Sequence, residues 1–433
     1  MGGSNTNSEK VPELAHATTP PTMSLPLSIR SQLYSLFDNK ILFIASMVIF
    51  ETRTTLCEAA PSLYIPILGR AICGIRGMGI YMGTMNMVSA LSTGVERPHY
   101  LGFVGLTWGI GTILGPIIHG AFTDSPATWR WAFYINLCIG AIAAPVYIFL
   151  VPSILPIGSP GLTPIIRIKK VDTAGALLSA GTIVTLIMAI YFGGVVYEWK
   201  SGQLIGLFVT IMFFDPDSSR KSDIPSRTTE VVGNEHPFAH TASAQIIVTL
   251  PIYFIPIYFQ FAKNFNAMRS GIRLLPFVLV FVFSVMLNGA LMTKLGLYMP
   301  WYFVGSALTL IGSALVYTKL PHIQEYSVLA AFGVGLFSQA RSSVAQVKVA
   351  PEQLSHAVAF ISVSQVGDIT LVLAIANSIF LNQATKGIAK VAPAMPKVVI
   401  YIDEVLIMLI VAASFSLLLS VFMKRERLFR TPT

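Results

Sequence analysis

The sequence has few charged residues for its length. Only 11% of its 433 residues are Asp, Glu, Lys or Arg, whereas 54% are apolar. Soluble domains carry roughly 25% charged residues, because their surfaces face water. This composition excludes an ordinary soluble domain and indicates a protein whose outer surface faces the lipid bilayer.

Motifs of catalysis and metal binding are also missing. The three cysteines (Cys57, Cys73 and Cys138) have neither zinc-site spacing nor a disulfide framework. The sequence has no Gly-x-Ser-x-Gly, His-Glu-x-x-His or phosphate-binding loop. We therefore expect no metal, no cofactor and no enzymatic activity. An intramembrane enzyme, the alternative, would need His, Asp or Cys side chains clustered at membrane depth.

The apolar residues come in blocks of membrane-spanning length. A helix needs about 20 apolar residues to cross the roughly 30 Å hydrocarbon layer. Eleven such blocks begin near Ile41, Leu68, Tyr100, Trp131, Asp172, Ala244, Ile272, Trp301, Val328, Ala357 and Val399. A twelfth block, 204–214, is short. The sequence predicts an all-α polytopic membrane protein of about twelve transmembrane helices, eleven clear and one short.

The net charge of +9 is explained by loop asymmetry and not by nucleic-acid binding. With the N-terminus inside and twelve crossings, seventeen basic residues fall in inner loops, eight in outer loops and four within spans. Cytoplasmic loops accumulate Lys and Arg. We therefore expect both termini to be cytoplasmic, in a multi-pass protein of the plasma membrane or an internal membrane.

Polar stretches divide the chain into predicted units. Residues 1–40 form a disordered cytoplasmic tail, and 424–433 form a basic cytoplasmic tail. Between the tails lie, in order, an N-terminal helical bundle of four spans (41–152), a linker with two spans (153–214), a central cytoplasmic loop (215–243) and a C-terminal bundle of six helices (244–423).

Three glycine-containing and aromatic motifs follow one another in the first half. They are Arg70-Ala-Ile-Cys-Gly74, Gly111-Thr-Ile-Leu-Gly115-Pro116-Ile-Ile-His-Gly120, and Trp129-Arg-Trp-Ala-Phe-Tyr-Ile-Asn136. Small residues four apart allow helix backbones to approach closely, and proline bends a helix. Gly111, Gly115, Pro116 and Gly120 therefore predict a tightly packed, kinked span, although a lone Gly-x-x-x-Gly is more often simple packing.

Together these motifs resemble the major facilitator superfamily, in particular the fourteen-span drug:proton antiporters of fungi. Further similarities lie at Asp172–Gly175, Tyr253–Gln260 and 270–276, and the resemblance covers about residues 31 to 424. It implies proton-coupled efflux of small organic molecules such as drugs, toxins or secondary metabolites. In this alignment two whole spans of the family should precede residue 33, and a polar tail stands there. A truncated or degenerate non-transporting member, or a sensor or scaffold, is the alternative.

The resemblance implies roles for several ionisable and aromatic residues. Arg70 corresponds to the arginine that the family assigns to proton coupling, although a helix-end arginine can also simply snorkel to the interface. Asp172 is a second coupling candidate, but an acid in the first turn of a helix is stabilised by the dipole anyway. Asp368, beside Gln365, is the third coupling candidate, because an ionisable residue within a span marks a functional site by default. The alternative is that it arose by sequence drift and has no role. Substrate-cavity candidates are Tyr253, Tyr258 and Gln260.

The coupling role of Arg70 gives a direct test. Replacing Arg70 by alanine should abolish efflux driven by a pH gradient, because the arginine would no longer bias the pKa of a nearby acid. Efflux from cells expressing the variant checks this. Unchanged pH-driven efflux would assign Arg70 to snorkelling alone.

Overall fold

The computed structural model describes residues 33–34, 36–58, 79–123, 131–153, 173–194, 196–213, 235–319, 322–349, 354–388 and 398–423. Within these ranges the chain is helical, and the one β-type pairing is an isolated bridge between Gly193 and Tyr197. Helices satisfy their own backbone groups, which find no water partners in lipid. The predicted all-α class is confirmed.

The described helices form two halves joined by a linking pair. The N-terminal half contains α1 (Asn39–Glu58), α2 (79–91), α3 (Arg97–Thr123) and α4 (Trp131–Pro145), which continues as a π-helical turn over Val146–Leu150. The linking pair is α5 (Thr173–Phe192) and α6 (Gly202–Phe213). The C-terminal half contains α7 (Glu235–Lys263), α8 (Ala267–Leu295), α9 (Met299–Thr318), α10 (Ile323–Ser338), α11 (Ala340–Lys348), α12 (Leu354–Ile388) and α13 (Val398–Val421).

Four stretches in the described part are long and apolar enough to cross a membrane: His240–Lys263, Met268–Leu295, Met299–Thr318 and Ile323–Val347. Other apolar helices, including Gly202–Met212, are shorter. Helix α6 has 12 residues, about 18 Å at 1.5 Å per residue. It would cross the roughly 30 Å layer only where the bilayer thins. The prediction of twelve spans stays a prediction.

Small residues set the packing of the C-terminal half. Helices α9 and α10 approach so closely that a Cβ placed on Gly305 would lie 2.7 Å from the Gly333 carbonyl oxygen. Gly312 faces the backbone of Ala330 along the same line of contact, which we call the seam between α9 and α10. Because lipid tails are as apolar as leucine, such close contact between backbones is what holds membrane helices together.

A second glycine-rich contact joins the two halves. Along α3, Gly102, Gly105 and Gly109 face α8, and a Cβ on Gly105 would lie 2.7 Å from the Val285 side chain. From α8, Gly289 faces the Pro98 carbonyl oxygen at 2.6 Å by the same measure. This contact fixes α3 against the C-terminal half.

The predicted packing residues Gly111, Gly115, Pro116 and Gly120 lie farther along α3, and their packing role stays a prediction. A Cβ on Gly111 or Gly115 would meet nothing within 4 Å among the described residues. Gly111 follows Gly109 by two residues, which is about 200° around a helix of 3.6 residues per turn, so it points away from α8. Helix α3 continues through Pro116 and Gly120 to Thr123.

The structure also moves the start of the C-terminal half. Helix α7 begins at Glu235, whereas the sequence placed residues 215–243 in a loop because of their polarity. His240 is fully buried, and its Nδ1 lies 3.1 Å from Ser416 Oγ on α13. That hydroxyl lies 2.8 Å from Ser306 Oγ on α9. His240, which lies in the predicted polar loop, is therefore packed between helices and joined to them by hydrogen bonds.

The seam between α9 and α10 predicts which glycines tolerate substitution. Gly312→Leu should lower the melting temperature, because overpacking typically destabilises by about 1–3 kcal/mol and here meets backbone. Gly206→Leu is the matched control, since a Cβ there meets nothing within 4 Å. Thermal unfolding in detergent measures both. Equal melting temperatures for the two variants would contradict the seam.

Candidate functional site

Polar side chains join the two halves near the middle of α12. The Tyr81 hydroxyl on α2 donates to Gln365 Oε1 at 2.6 Å. The Gln245 amide on α7 donates to the Gln365 carbonyl oxygen at 3.3 Å. Asp368, one turn after Gln365, is 9% exposed. We call these four residues, Tyr81, Gln245, Gln365 and Asp368, the Gln365 cluster.

The position of this cluster along α12 follows from helix geometry. Helix α12 has 35 residues from Leu354 to Ile388, about 52 Å at 1.5 Å per residue, longer than the hydrocarbon layer. Gln365 and Asp368 lie near its midpoint. The cluster therefore lies in the middle part of α12, away from both of its ends.

A second polar contact closes one end of the interface, where α2 ends and α3 begins. The Ser89 hydroxyl donates to Gln346 Oε1 at 2.7 Å. Arg97 donates to the carbonyl oxygens of Gln346 and Ser89, each at 2.9 Å. We call Ser89, Arg97 and Gln346 the Arg97 clasp. A charged donor bound to carbonyl oxygens forms strong hydrogen bonds, so the clasp holds α11 against the N-terminal half.

Around the clasp, several buried polar atoms have no hydrogen-bond partner among the described residues. They lie on α2, at the start of α3, on α8 and around the junction of α10 and α11: Asn86 Nδ2, Arg97 Nε, Asn288 Nδ2, Ser338 Oγ, Gln339 Oε1 and Ser342 Oγ. An unsatisfied buried polar group destabilises by about 1–3 kcal/mol. Water entering this end would relieve that penalty, which offsets part of the hydrogen-bond energy lost when the clasp opens.

Of the three residues predicted to couple protons, the structure describes Asp368. Arg70 and Asp172 lie outside the described residues. Asp368, one turn after Gln365 on α12, is buried. Its role remains a prediction.

The predicted substrate-cavity residues do not converge. Tyr253 is 41% exposed, whereas Tyr258 is 3% exposed and packs in the core of the C-terminal half. Five residues along a helix turn the side chain by about 140°, which separates the two rings. Gln260 is half-buried on the Tyr253 side. The structure therefore places Tyr258 on a different side of α7 from Tyr253 and Gln260, and their role as substrate-cavity residues stays a prediction.

Sequence reasoning missed most of the residues that join the halves. Tyr81, Ser89 and Gln346 are single uncharged polar residues inside apolar or loop-like stretches. Their only signal is a hydrogen-bonding side chain at membrane depth, where polar groups are unfavourable unless they serve packing or function. Arg97 is one of the seventeen basic residues that the topology predicts in inner loops, and the structure places it at the start of α3.

The described part of the interface carries several hydrogen-bonding side chains. The Gln365 cluster offers two amides, a phenol and a carboxyl group, which can hydrogen-bond an organic molecule. Among the described residues, no group of three or more His, Cys, Asp or Glu side chains could hold a metal ion. The site holds hydrogen-bonding groups that face between two halves.

Comparison with known proteins gives a consistent result. The family model described as Major Facilitator Superfamily matches residues 22–368. The "MFS-type transporter pgmG" of Aspergillus terreus is 39% identical over 93% of this chain and 80% of its own. The "Efflux pump alnA" of Emericella nidulans is 38% identical over 92% of this chain and 80% of its own.

Solved structures show the same fold. The human organic anion transporter MFSD10 aligns over 92% of this chain and 80% of its own, with a TM-score of 0.59 and 13% identity. A double-tryptophan mutant of XylE aligns over 94% of this chain and 83% of its own, with a TM-score of 0.55 and 14% identity.

The Arg97 clasp predicts a measurable change in access. Arg97→Ala should speed thiol labelling of Ser342→Cys, one turn before Gln346, by about tenfold or more. The variant loses the hydrogen bonds that Arg97 makes, and hydrogen bonds to charged groups contribute about 1.5–3 kcal/mol each. The interface should therefore open more often and expose the thiol. The measurement uses a cysteine-free background and a soluble maleimide. Arg269→Ala, an exposed arginine on α8, should leave the rate unchanged; equal rates in both variants would refute the clasp.

Proposed function

The chain belongs to the major facilitator superfamily, and we propose that it is a proton-driven exporter of small organic molecules. The observation that carries the proposal is its similarity, across four fifths of their length, to relatives that are named efflux pumps and MFS-type transporters. The Gln365 cluster between the two halves supplies a site where such a molecule could bind.

The proposed mechanism is alternating access. Two helical halves of this kind rock around a binding site near the membrane centre. The charge asymmetry of the loops supports a cytoplasmic N-terminus, and in that orientation the Arg97 clasp would lie at the inner end. With the clasp closed, the inner end is shut; hydration of the unpartnered polar atoms there favours its opening.

The chemistry of the Gln365 cluster favours a particular substrate class. Tyr81, Gln245 and Gln365 carry no charge, and Asp368 supplies one carboxyl group. Neutral or weakly basic molecules with oxygen or nitrogen acceptors would hydrogen-bond there without leaving a charge unpaired in lipid. Strong anions would be repelled by the ionised carboxylate.

Proton coupling is proposed for Asp368. An ionisable group at membrane depth marks a proton or ion pathway by default, and this acid lies one turn from the residue that bridges the halves. In the proposed cycle Asp368 takes a proton from the outer side and releases it to the inner side, while substrate moves outward. Arg70 and Asp172 remain candidates for the same pathway.

Replacing Asp368 by asparagine tests the coupling. We expect Asp368→Asn to abolish pH-gradient-driven transport, because asparagine keeps the shape and cannot carry a proton. Transport is measured as uptake of tritiated cycloheximide, a neutral oxygenated molecule, into proteoliposomes with an acidic lumen. Transporters that are inserted with their cytoplasmic side facing the external buffer would pump the probe into the lumen.

The control is another acid outside the interface. Glu325→Gln at the start of α10 removes an exposed carboxylate that pairs with His322, and uptake should stay at the wild-type level. If wild-type protein that is well folded shows no gradient-dependent uptake, the exporter proposal fails. If Asp368→Asn retains it, the coupling assignment alone fails.

A further inference from the structure

The turn between α5 and α6 is fixed to the far part of α12, away from the Gln365 cluster. The Gly194 amide donates to the Tyr197 carbonyl oxygen at 2.8 Å, which closes the turn. The Gly193 carbonyl accepts from Asn382 Nδ2 at 3.2 Å. Gly194 has a φ of 74°, and a Cβ there would lie 2.6 Å from Asn382 Oδ1. The turn and α12 therefore fit together closely.

Beside this contact the structure contains a cleft of about 490 Å³. It is lined by Trp199 from the turn, Ser378, Ile379, Asn382 and Gln383 from α12, and Ile407 from α13. Ligand pockets in proteins are roughly 300–1,000 Å³ and combine apolar walls with a few polar groups. The volume of the cleft falls in that range and its lining is mixed, but the cleft is open to its surroundings and not enclosed.

The lining points to one class of ligand. The lining combines the apolar side chains of Ile379 and Ile407 with the polar groups of Ser378, Asn382 and Gln383, and Trp199, also in the lining, is 54% exposed. The Asn382 Nδ2 group already donates to the Gly193 carbonyl oxygen and to Ser378. None of the six lining residues is charged. A phosphate headgroup is held by Lys, Arg or a helix N-terminus, so a neutral amphipathic molecule suits these walls better than a phospholipid.

The cleft lies on the same helix as the Gln365 cluster. Gln383 follows Gln365 by eighteen residues, which is five turns, so both side chains leave the same side of α12, about 27 Å apart. With a cytoplasmic N-terminus, α12 runs outward, and the cleft lies at the outer end. Helix α12 thus connects the central cluster with an opening on the releasing side.

We propose that the cleft bordered by Trp199, Gln383 and Ile407 binds neutral, oxygen-bearing amphipathic molecules at the outer end of α12, as a holding site for exported substrate. The assignment of cargo rests on the proposed function. Binding in the cleft is a separate property, because it requires only these walls.

The test measures binding and transport independently. Trp199 is made the single tryptophan by changing Trp108, Trp129, Trp131 and Trp301 to Phe, and its emission is followed in nanodiscs during titration with cycloheximide. We expect a saturable change. Ile407→Phe, which fills the cleft, should raise the apparent Kd at least about fivefold, whereas Val411→Phe, one turn along α13 outside the lining, should shift it less than about twofold.

Uptake of tritiated cycloheximide by the same Phe variants in the wild-type tryptophan background completes the test. Slower uptake by Ile407→Phe alone supports a holding site on the export route. A saturable Trp199 response without any wild-type uptake supports the cleft and refutes the exporter proposal.

Three results overturn the cleft proposal. The first is uptake by wild type with no saturable Trp199 response, and the second is equal behaviour of Ile407→Phe and Val411→Phe. The third comes from nanodiscs of brominated phosphatidylcholine: if the lipid quenches Trp199 and cycloheximide does not relieve the quenching, a lipid occupies the cleft.

Discussion

The absence of water inside the bilayer is the constraint on which this structure depends. Every backbone group must find a partner within the chain, which makes the described part helical. Polar side chains must find partners as well, and they find them on other helices. His240 reaches Ser416, and Ser89 and Arg97 reach Gln346. Each such contact ties together segments that are distant in sequence.

Two kinds of contact between helices have different roles in the proposed transporter. Glycine-lined seams, such as α9 with α10 and α3 with α8, bring backbones together and leave no room for water. Polar contacts, such as Tyr81 with Gln365 and the Arg97 clasp, can exchange their hydrogen bonds with water when the halves separate. In the proposed cycle the seam between α3 and α8 keeps the halves joined while the polar contacts open and close.

The linking pair adds a further element to this arrangement. Its turn is closed by Gly194 and held by Asn382, so α5 and α6 are attached to the same helix that carries Gln365 and Asp368. A hydrogen bond from a side chain to a backbone carbonyl fixes the turn without charge. This attachment shapes the cleft beside Trp199 and couples the position of the linking pair to α12.

The sequence by itself determined the membrane class, the helical fold and the family, because apolar length and ordered motifs are local properties of the chain. The sequence also identified Asp368 as a candidate, because an acidic residue inside an apolar block can be recognised without the structure. Tertiary structure alone decided which polar residues meet. Tyr81 and Gln365 are 284 residues apart, and uncharged side chains give no local signal of a distant partner. It likewise decided that Gly105 and Gly109, not Gly111 and Gly115, contact α8, because the orientation of a helix about its axis is set by its neighbours.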